Sequence, residues 1–426
     1  MEKATTLKEL IALKNRTQIT PETIDPFYVS TIAISKPPIN EKIKQFFEAI
    51  YHVPQKMILA GPKGSGKSTL LCLLSQGGLE RFHIIPIHLL RTLDPMDISQ
   101  VDIIFCLLNH LVQDVSQTQK RLDPSVLNGI YQCLHDEQLI HLIKFKKSEA
   151  GDEEGTKIGF VKTFISAIVE ALSTTGSNIR TQIREILEPG LRLILKGIQD
   201  IIDYINRIYQ ATNQILLIIF DDLDQFDLST AELFFQNHLS LTERLNVHII
   251  YTMPDFIRFS YFFQTLSARM GQVSFMRMTP VLYQNNTPCE QGQIHIKEII
   301  CKRIARELIQ DTMLDLVILA SGGVLHHAFD LLIDTALNTL TLDPDSQCLH
   351  QKAFDLVYQR FTQKMIQQMD STHVELLAQL NLSYPSWAGN KHVQHLMARN
   401  ILIEYECNGS VWFDIHPSVK RLIVPL

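Results

Sequence analysis

Residues 61–68 read Gly61-Pro62-Lys63-Gly64-Ser65-Gly66-Lys67-Ser68, with Thr69 next. The spacing G-x-x-x-x-G-K-[ST] is that of a phosphate-binding loop, and it constrains the fold because it works only between a strand and a helix. Both flanks comply. Met57-Ile58-Leu59-Ala60 is a short apolar run suited to a buried strand, and Leu70-Leu71-Cys72-Leu73-Leu74 suits the first turns of a helix. Glycines let successive N–H groups turn toward one point, and a helix N-terminus adds the positive end of its dipole. Gly61, Pro62, Lys63, Gly64, Ser65, Gly66, Lys67, Ser68 and Thr69 are therefore expected to surround a nucleotide, ATP, with Mg²⁺. Lys67 reaches the β/γ-phosphates and the Ser68 hydroxyl ligates the metal.

A chain of 426 residues is long enough for one large or several modest domains. A net charge of −6 argues against a mainly electrostatic nucleic-acid binder. The seven cysteines are odd in number and form no C-x-x-C pair, which suggests reduced thiols in a cytoplasmic setting, no disulfide framework and no zinc site. The N-terminus lacks an apolar signal segment, and no run of about 18 apolar residues suggests a membrane span.

Residues 1–39 contain Pro21, Pro26, Pro37 and Pro38 and read as an extended lead-in. Residues 40–290 read as an α/β core with a parallel sheet. Phe82 to Leu89, Gln214 to Phe220, Val247 to Thr252 and Val273 to Met278 are its strands after the first. Residues 144–158 are polar and acidic and read as an exposed loop, and 159–210 as a helical insertion that packs on the domain's own flank. Residues 291–366 read as four helices, an all-helical lid. Residues 367–426 carry two helices and then a hairpin around Asn408-Gly409, the order of a winged helix.

The strand at 215–220 runs into Asp221-Asp222-Leu223-Asp224. Acids beyond the carboxyl end of a parallel strand lie where ligands bind. Asp221 is the expected second Mg²⁺ ligand, and Asp222 the general base or water-orienting group. Asp224 caps the next helix or makes a salt bridge. Thr252 ends the next strand and is either a sensor of the γ-phosphate or a plain strand-end threonine. Arg258, Arg269 and Arg277 follow, and an arginine from a neighbouring subunit could neutralise transition-state charge. Ser321-Gly322-Gly323 lies about 100 residues after the acidic strand end, on the wrong side of it for an ABC-transporter signature. His326 and His327 have no metal-ligand spacing with a nearby His or Cys.

With these residues in hand, the chain resembles the AAA+/STAND P-loop ATPases, and within them the branch of origin-recognition and bacterial STAND-like ATPases. Leu266-Ser267-Ala268-Arg269 before a strand, then His295 to Ile300 and Arg303, resembles the passage from core to lid. Ser321 to His326 followed by Ala328 to Leu332 resembles the lid segment that carries the sensor 2 arginine. The resemblance implies an arginine-finger position near Arg269 and puts His326, a pH-dependent charge, at sensor 2. Asp222 stands where many of these ATPases carry glutamate, and Val324 replaces the lid proline usual in STAND proteins. These departures suit slow turnover. The resemblance implies an ATP-driven switch that forms homo-oligomers or controls a separate effector protein, in a prokaryotic phage-defence context. The alternative is an initiator or transposition-type ATPase that binds DNA through its winged helix. Lys391, His392, His395 and Arg399 on the second helix, with Lys420 and Arg421 beyond, make a modest basic set for that purpose.

Overall fold

The computed structural model describes residues 3–15, 24–30, 37–117, 124–143, 157–379 and 387–423. Its centre is a five-stranded sheet: β1 (Lys56–Ala60), β2 (Phe82–His88), β3 (Ile215–Asp221), β4 (His248–Met253) and β5 (Gln272–Phe275). The order is β2-β3-β4-β1-β5, and every pairing is parallel. β3 and β4 are almost wholly buried, which explains why their sequences are unbroken apolar runs rather than alternating ones. β4 separates β1 from β3. The glycine loop and the acidic turn therefore leave the same carboxyl edge of the sheet with one strand between them.

Helices cover both faces. Ile39–Ala49 and Lys67–Leu73 pack on one through Ile43, Phe47, Leu70 and Leu71. Gln100–Gln117 and the inserted helices Lys157–Thr174, Ser177–Leu187 and Leu191–Tyr209 build the large core on the other. The insertion thus packs on the flank of its own sheet. Glu188-Pro189-Gly190 breaks what the sequence suggests as one long helix over 179–210. Most of the loop expected at 144–158 lies outside the described residues, and a helix already begins at Lys157.

Four helices follow the sheet: Glu290–Arg303, Asp311–Ser321, Leu325–Leu342 and Gln351–Gln367. The lead-in departs from its extended reading, because Leu7–Ala12 is a helix whose Leu7 and Leu10 fill the core of this helical unit. Its start is a capping box, in which Thr6 accepts from the Glu9 amide and Glu9 accepts from the Thr6 amide. The last segment has helices Ser371–Gln379 and Lys391–Ala398 and an antiparallel hairpin of β6 (Leu402–Cys407) and β7 (Ser410–Ile415). A short helix, Pro417–Ile423, comes last. Among the described residues no helix is long and apolar enough to cross a membrane.

One ionic cluster pins the insertion. Arg184 donates to Asp97 at 2.6 Å and to Asp102 at 2.6 Å. Asp102 is buried on the helix beneath, and burial pushes its carboxyl up despite the pairing. Removing the guanidinium leaves that carboxylate buried and uncompensated. Arg184→Ala is expected to cost about 3–5 kcal/mol of folding stability, read as a lower urea midpoint with an unchanged slope.

Candidate functional site

The site starts from the backbone. Gly64 (φ 87°) and Gly66 (φ 97°) hold left-handed conformations that let the loop curl before its helix. The Gly61 N–H donates to Met253 O at 3.0 Å, which fixes the loop to the end of β4.

Lys67 is 2% exposed, and its ammonium is turned into its own loop. It donates to Gly61 O and Pro62 O, each at 2.8 Å, and pairs with Asp224 Oδ2 at 2.9 Å. An ammonium has three N–H donors, and these acceptors take all of them. Asp224, expected as a helix cap or salt-bridge partner, is thus the carboxylate partner of Lys67. Its other oxygen is buried with no hydrogen-bond partner among the described residues.

Ser68 and Asp221, the two expected metal ligands, meet: the Ser68 hydroxyl hydrogen-bonds the Asp221 carboxylate. Burial, with the charges of Asp224 and Asp222 nearby, raises the Asp221 carboxyl to about 6. Asp222 follows with φ 72°, a conformation that aspartate tolerates better than most residues. Its carboxylate accepts from Gln225 Nε2 at 2.8 Å, and burial raises it too.

Thr252 pairs in register with Leu59 of β1, so its strand does neighbour the loop strand. It is buried, accepts from the Leu223 amide at 3.0 Å and donates to Phe220 O at 3.4 Å. In this conformation the hydroxyl holds the acidic turn in place.

The three arginines go elsewhere. Arg269 pairs with Glu243, on the helix that feeds the amino end of β5, across the sheet from its own chain's glycine loop. Arg258 pairs with Glu404 of β6 at 2.7 Å, and Arg277 with Glu404 and Glu406, each at 3.0 Å. Arg258 and Arg277 thus bond the sheet domain to the hairpin.

His326 opens the first turn of Leu325–Leu342 and lies against the loop. A Cβ on Gly64 would come within 2.5 Å of its Nδ1. That nitrogen is buried and has no partner among the described residues. Burial, then Lys63, holds the ring down to about 4, so His326 is neutral near pH 7 rather than the pH-dependent charge expected at sensor 2. His327 does have a histidine neighbour, 89 positions away in the chain: its Nδ1 lies 3.2 Å from His416 Nε2.

Other residues join the site from positions the sequence does not signal. His88 ends β2 in register with Asp221, with its Nδ1 3.6 Å from Asp221 and 3.8 Å from Asp222. Burial and Arg91 keep this ring's basicity low. Asp255 is buried behind the site and raised to about 6 by burial, an effect Arg258 opposes. Asn400, just after the helix Lys391–Ala398, donates to Lys63 O at 3.1 Å and so joins the last segment to the loop. Beside Ser65, Gly66 and Thr69 opens a cleft. Tyr28, Thr279 and His295 line its other walls.

No family model matches the chain, and no curated protein does. Among solved structures it is similar to the ORC1 protein of Aeropyrum pernix, determined in complex with DNA. That likeness has a TM-score of 0.38 at 10% identity and covers 95% of this chain and 94% of that one.

His416 gives the helical unit a measurable pH response. It is fully buried, bonded to Ser321 O at 2.9 Å, and lowered to about 4 by burial. The unfolded state takes up this proton near pH 6.5, whereas the folded state resists it until about 4. The stabilisation is therefore present above the unfolded value and is lost as pH falls through that window. Wild type should lose up to about 3 kcal/mol relative to His416→Asn between pH 6.5 and 4, read from paired urea melts. A constant gap would refute neutral burial. Comparing the two chains cancels the opposite contribution of raised carboxyls such as Asp255.

Proposed function

We propose that the chain is an ATP-binding P-loop ATPase of the AAA+/STAND type that turns over slowly and acts as a switch. The observation that carries this reading is convergence at one sheet edge. The Lys67 ammonium, the Ser68 hydroxyl and the Asp221, Asp222 and Asp224 carboxylates come together from segments about 150 residues apart. In this reading Gly61 to Thr69 bind the phosphates and the base side lies in the cleft beside Ser65 and Thr69. Ser68 and Asp221 hold Mg²⁺, which would neutralise phosphate charge, and Asp222 orients the attacking water.

Asp224 gives the switch its resting state. Its carboxylate satisfies the Lys67 ammonium in the manner of a phosphate oxygen. A triphosphate carries more charge than one carboxylate and displaces it. Displacement also strains the neighbours of the loop, because Lys63 O is bonded to Asn400 and Gly64 is pressed by His326. Nucleotide entry is thus transmitted to the helical unit and the last segment, which we read as lid and winged helix. Arg269, exposed beyond its pairing with Glu243, is available to an adjoining subunit. The output is homo-oligomer assembly or control of a separate effector, in a cytoplasmic, phage-defence setting. DNA contact through Lys391–Ala398 would be confined to its outer face, Lys391 and His392, since Val393, Gln394 and Met397 are buried in the core.

Lys67→Ala should abolish ATP binding by equilibrium dialysis or weaken it at least tenfold. Asp222→Asn should bind ATP like wild type and hydrolyse it 10²–10⁴-fold more slowly, the range of a lost general acid–base group. Equal turnover by the two would remove Asp222 from the mechanism. Asp224→Asn tests the resting state: ATP affinity should rise severalfold, whereas a fall would make Asp224 part of the binding machinery instead.

A further inference from the structure

A second cluster of titratable groups lies in the last segment, away from the glycine loop. Asp370 precedes the helix Ser371–Gln379 and accepts from the His373 amide at 2.9 Å, as a helix cap does. The same carboxylate oxygen lies 2.8 Å from His373 Nδ1. The Asp370 amide also lies 3.3 Å from Nδ1, so Asp370 occupies this side of the ring through both its amide and its carboxylate, and Nε2 is the ring position left open. His373 is only 5% exposed, and its Nε2 is buried with no hydrogen-bond partner among the described residues. A buried imidazole nitrogen without a partner costs free energy, so its persistence calls for a ligand.

The neighbouring helix, Lys391–Ala398, supplies more donors. His392 and His395 are three residues apart and share one face of it. The His373 ring centroid lies 5.0 Å from that of His392 and 6.2 Å from that of His395. With metal–nitrogen bonds of about 2.0–2.1 Å, two imidazoles on one tetrahedral ion have centroids about 5 Å apart. Donor atoms of Asp370, His373 and His392 all fall within 4.8 Å of one another. The cationic neighbours are engaged elsewhere: Lys391 pairs with Glu232, and Arg399 donates to Gln368 O.

We infer that these residues form a binding site for a divalent transition-metal ion of the zinc class. His373 Nε2 and His392 are the ligands already in place, His395 completes the set by a side-chain rotation, and Asp370 orients His373 from behind. A carboxylate behind a ligating histidine fixes its tautomer and strengthens it as a ligand. Imidazole donors select Zn²⁺, Co²⁺ or Ni²⁺ over Mg²⁺, which prefers oxygen. The ion would clamp the two helices together. The second of them also carries Gln394, bonded to Ser260 of the core, and leads into Asn400, bonded to Lys63 of the loop. Metal occupancy is thereby linked to how firmly the last segment docks beside the nucleotide site. Cysteine spacings give no hint of it, because its donors are histidines and a carboxylate from two helices.

Co²⁺ titration of the full-length, chelator-stripped chain tests this. The expected result is a four-coordinate visible spectrum that saturates at one ion per chain, is displaced by Zn²⁺ and is unmoved by millimolar Mg²⁺. His392→Gln, an exposed position that should not disturb folding, should weaken binding at least tenfold. Asp370→Asn should weaken it about 10–100-fold, as loss of an orienting carboxylate does. Asp221→Asn controls for metal at the other cluster, where His88, Asp221 and Asp222 lie together, and should leave the spectrum intact. A wild type without the four-coordinate spectrum would overturn the site. So would His392→Gln binding as tightly as wild type, or Asp221→Asn abolishing the signal.

Discussion

At the carboxyl edge of the sheet the one ammonium, Lys67, is taken by Asp224 while Asp221 and Asp222 lie close by, and most of the site's behaviour follows from that imbalance. Asp224 neutralises Lys67, which leaves Asp221 and Asp222 to face each other and the half-buried His88. Desolvation first and then the charge of Asp224 raise both carboxyls, while burial and Arg91 keep His88 from supplying the missing positive charge. Two unit charges about 4 Å apart interact by roughly 4 kcal/mol at the dielectric typical of such sites. A divalent cation between Ser68 and Asp221 would relieve this repulsion, and a phosphate on Lys67 would release Asp224. Cation and anion therefore favour each other's binding, as expected of a site for a metal–phosphate complex.

The same edge of the sheet is where the rest of the chain is attached. Glu404 of β6 is buried between Arg258 and Arg277, and Tyr405 donates to Gly322 O at 2.9 Å. His416 and Ser418 bond the carbonyls of Ser321 and Ala320. The hairpin is thus bonded at once to the segment after β4, the segment after β5 and the end of the helix Asp311–Ser321. Buried ion pairs of this kind add little net stability over apolar packing, but breaking one partner is costly. They define one docked arrangement and penalise partial ones, which is what a two-state element requires.

The legible part of the site was the part written locally. The glycine loop, its flanking strand and helix, and the acidic end of β3 each depend on a few consecutive residues. Their meeting required only a parallel sheet, which the apolar runs supplied. His88 could not be read because its role depends on β2 pairing with β3, a fact of strand order. Asp224 was visible, but its partner depends on how the turn after β3 folds back, which the left-handed Asp222 decides. Asn400 and His416 act through docking of a segment more than 300 residues from the loop, beyond any local pattern. The N-terminal helix was different: the Thr6-x-x-Glu9 box announces it, and the prolines further along masked the signal. The charge on His326 was misjudged because a sequence gives a histidine's usual basicity and not its burial.

The helix Lys391–Ala398 cannot serve two surfaces at once. Its apolar face, Val393, Leu396 and Met397, fills the core that the sheet domain shares with the last segment, and Gln394 bonds Ser260 across the contact. A partner that needs the buried face of this helix must first separate it from the core. Separation also removes the Asn400 bond to Lys63 O and frees the loop at its most exposed lysine. Linkage is reciprocal: if undocking changes nucleotide affinity, nucleotide changes the affinity for whatever takes the undocked helix by the same factor. An isolated mutation in the contact, far from any phosphate, must then alter both in concert, and that is a stronger statement about coupling than proximity alone supplies.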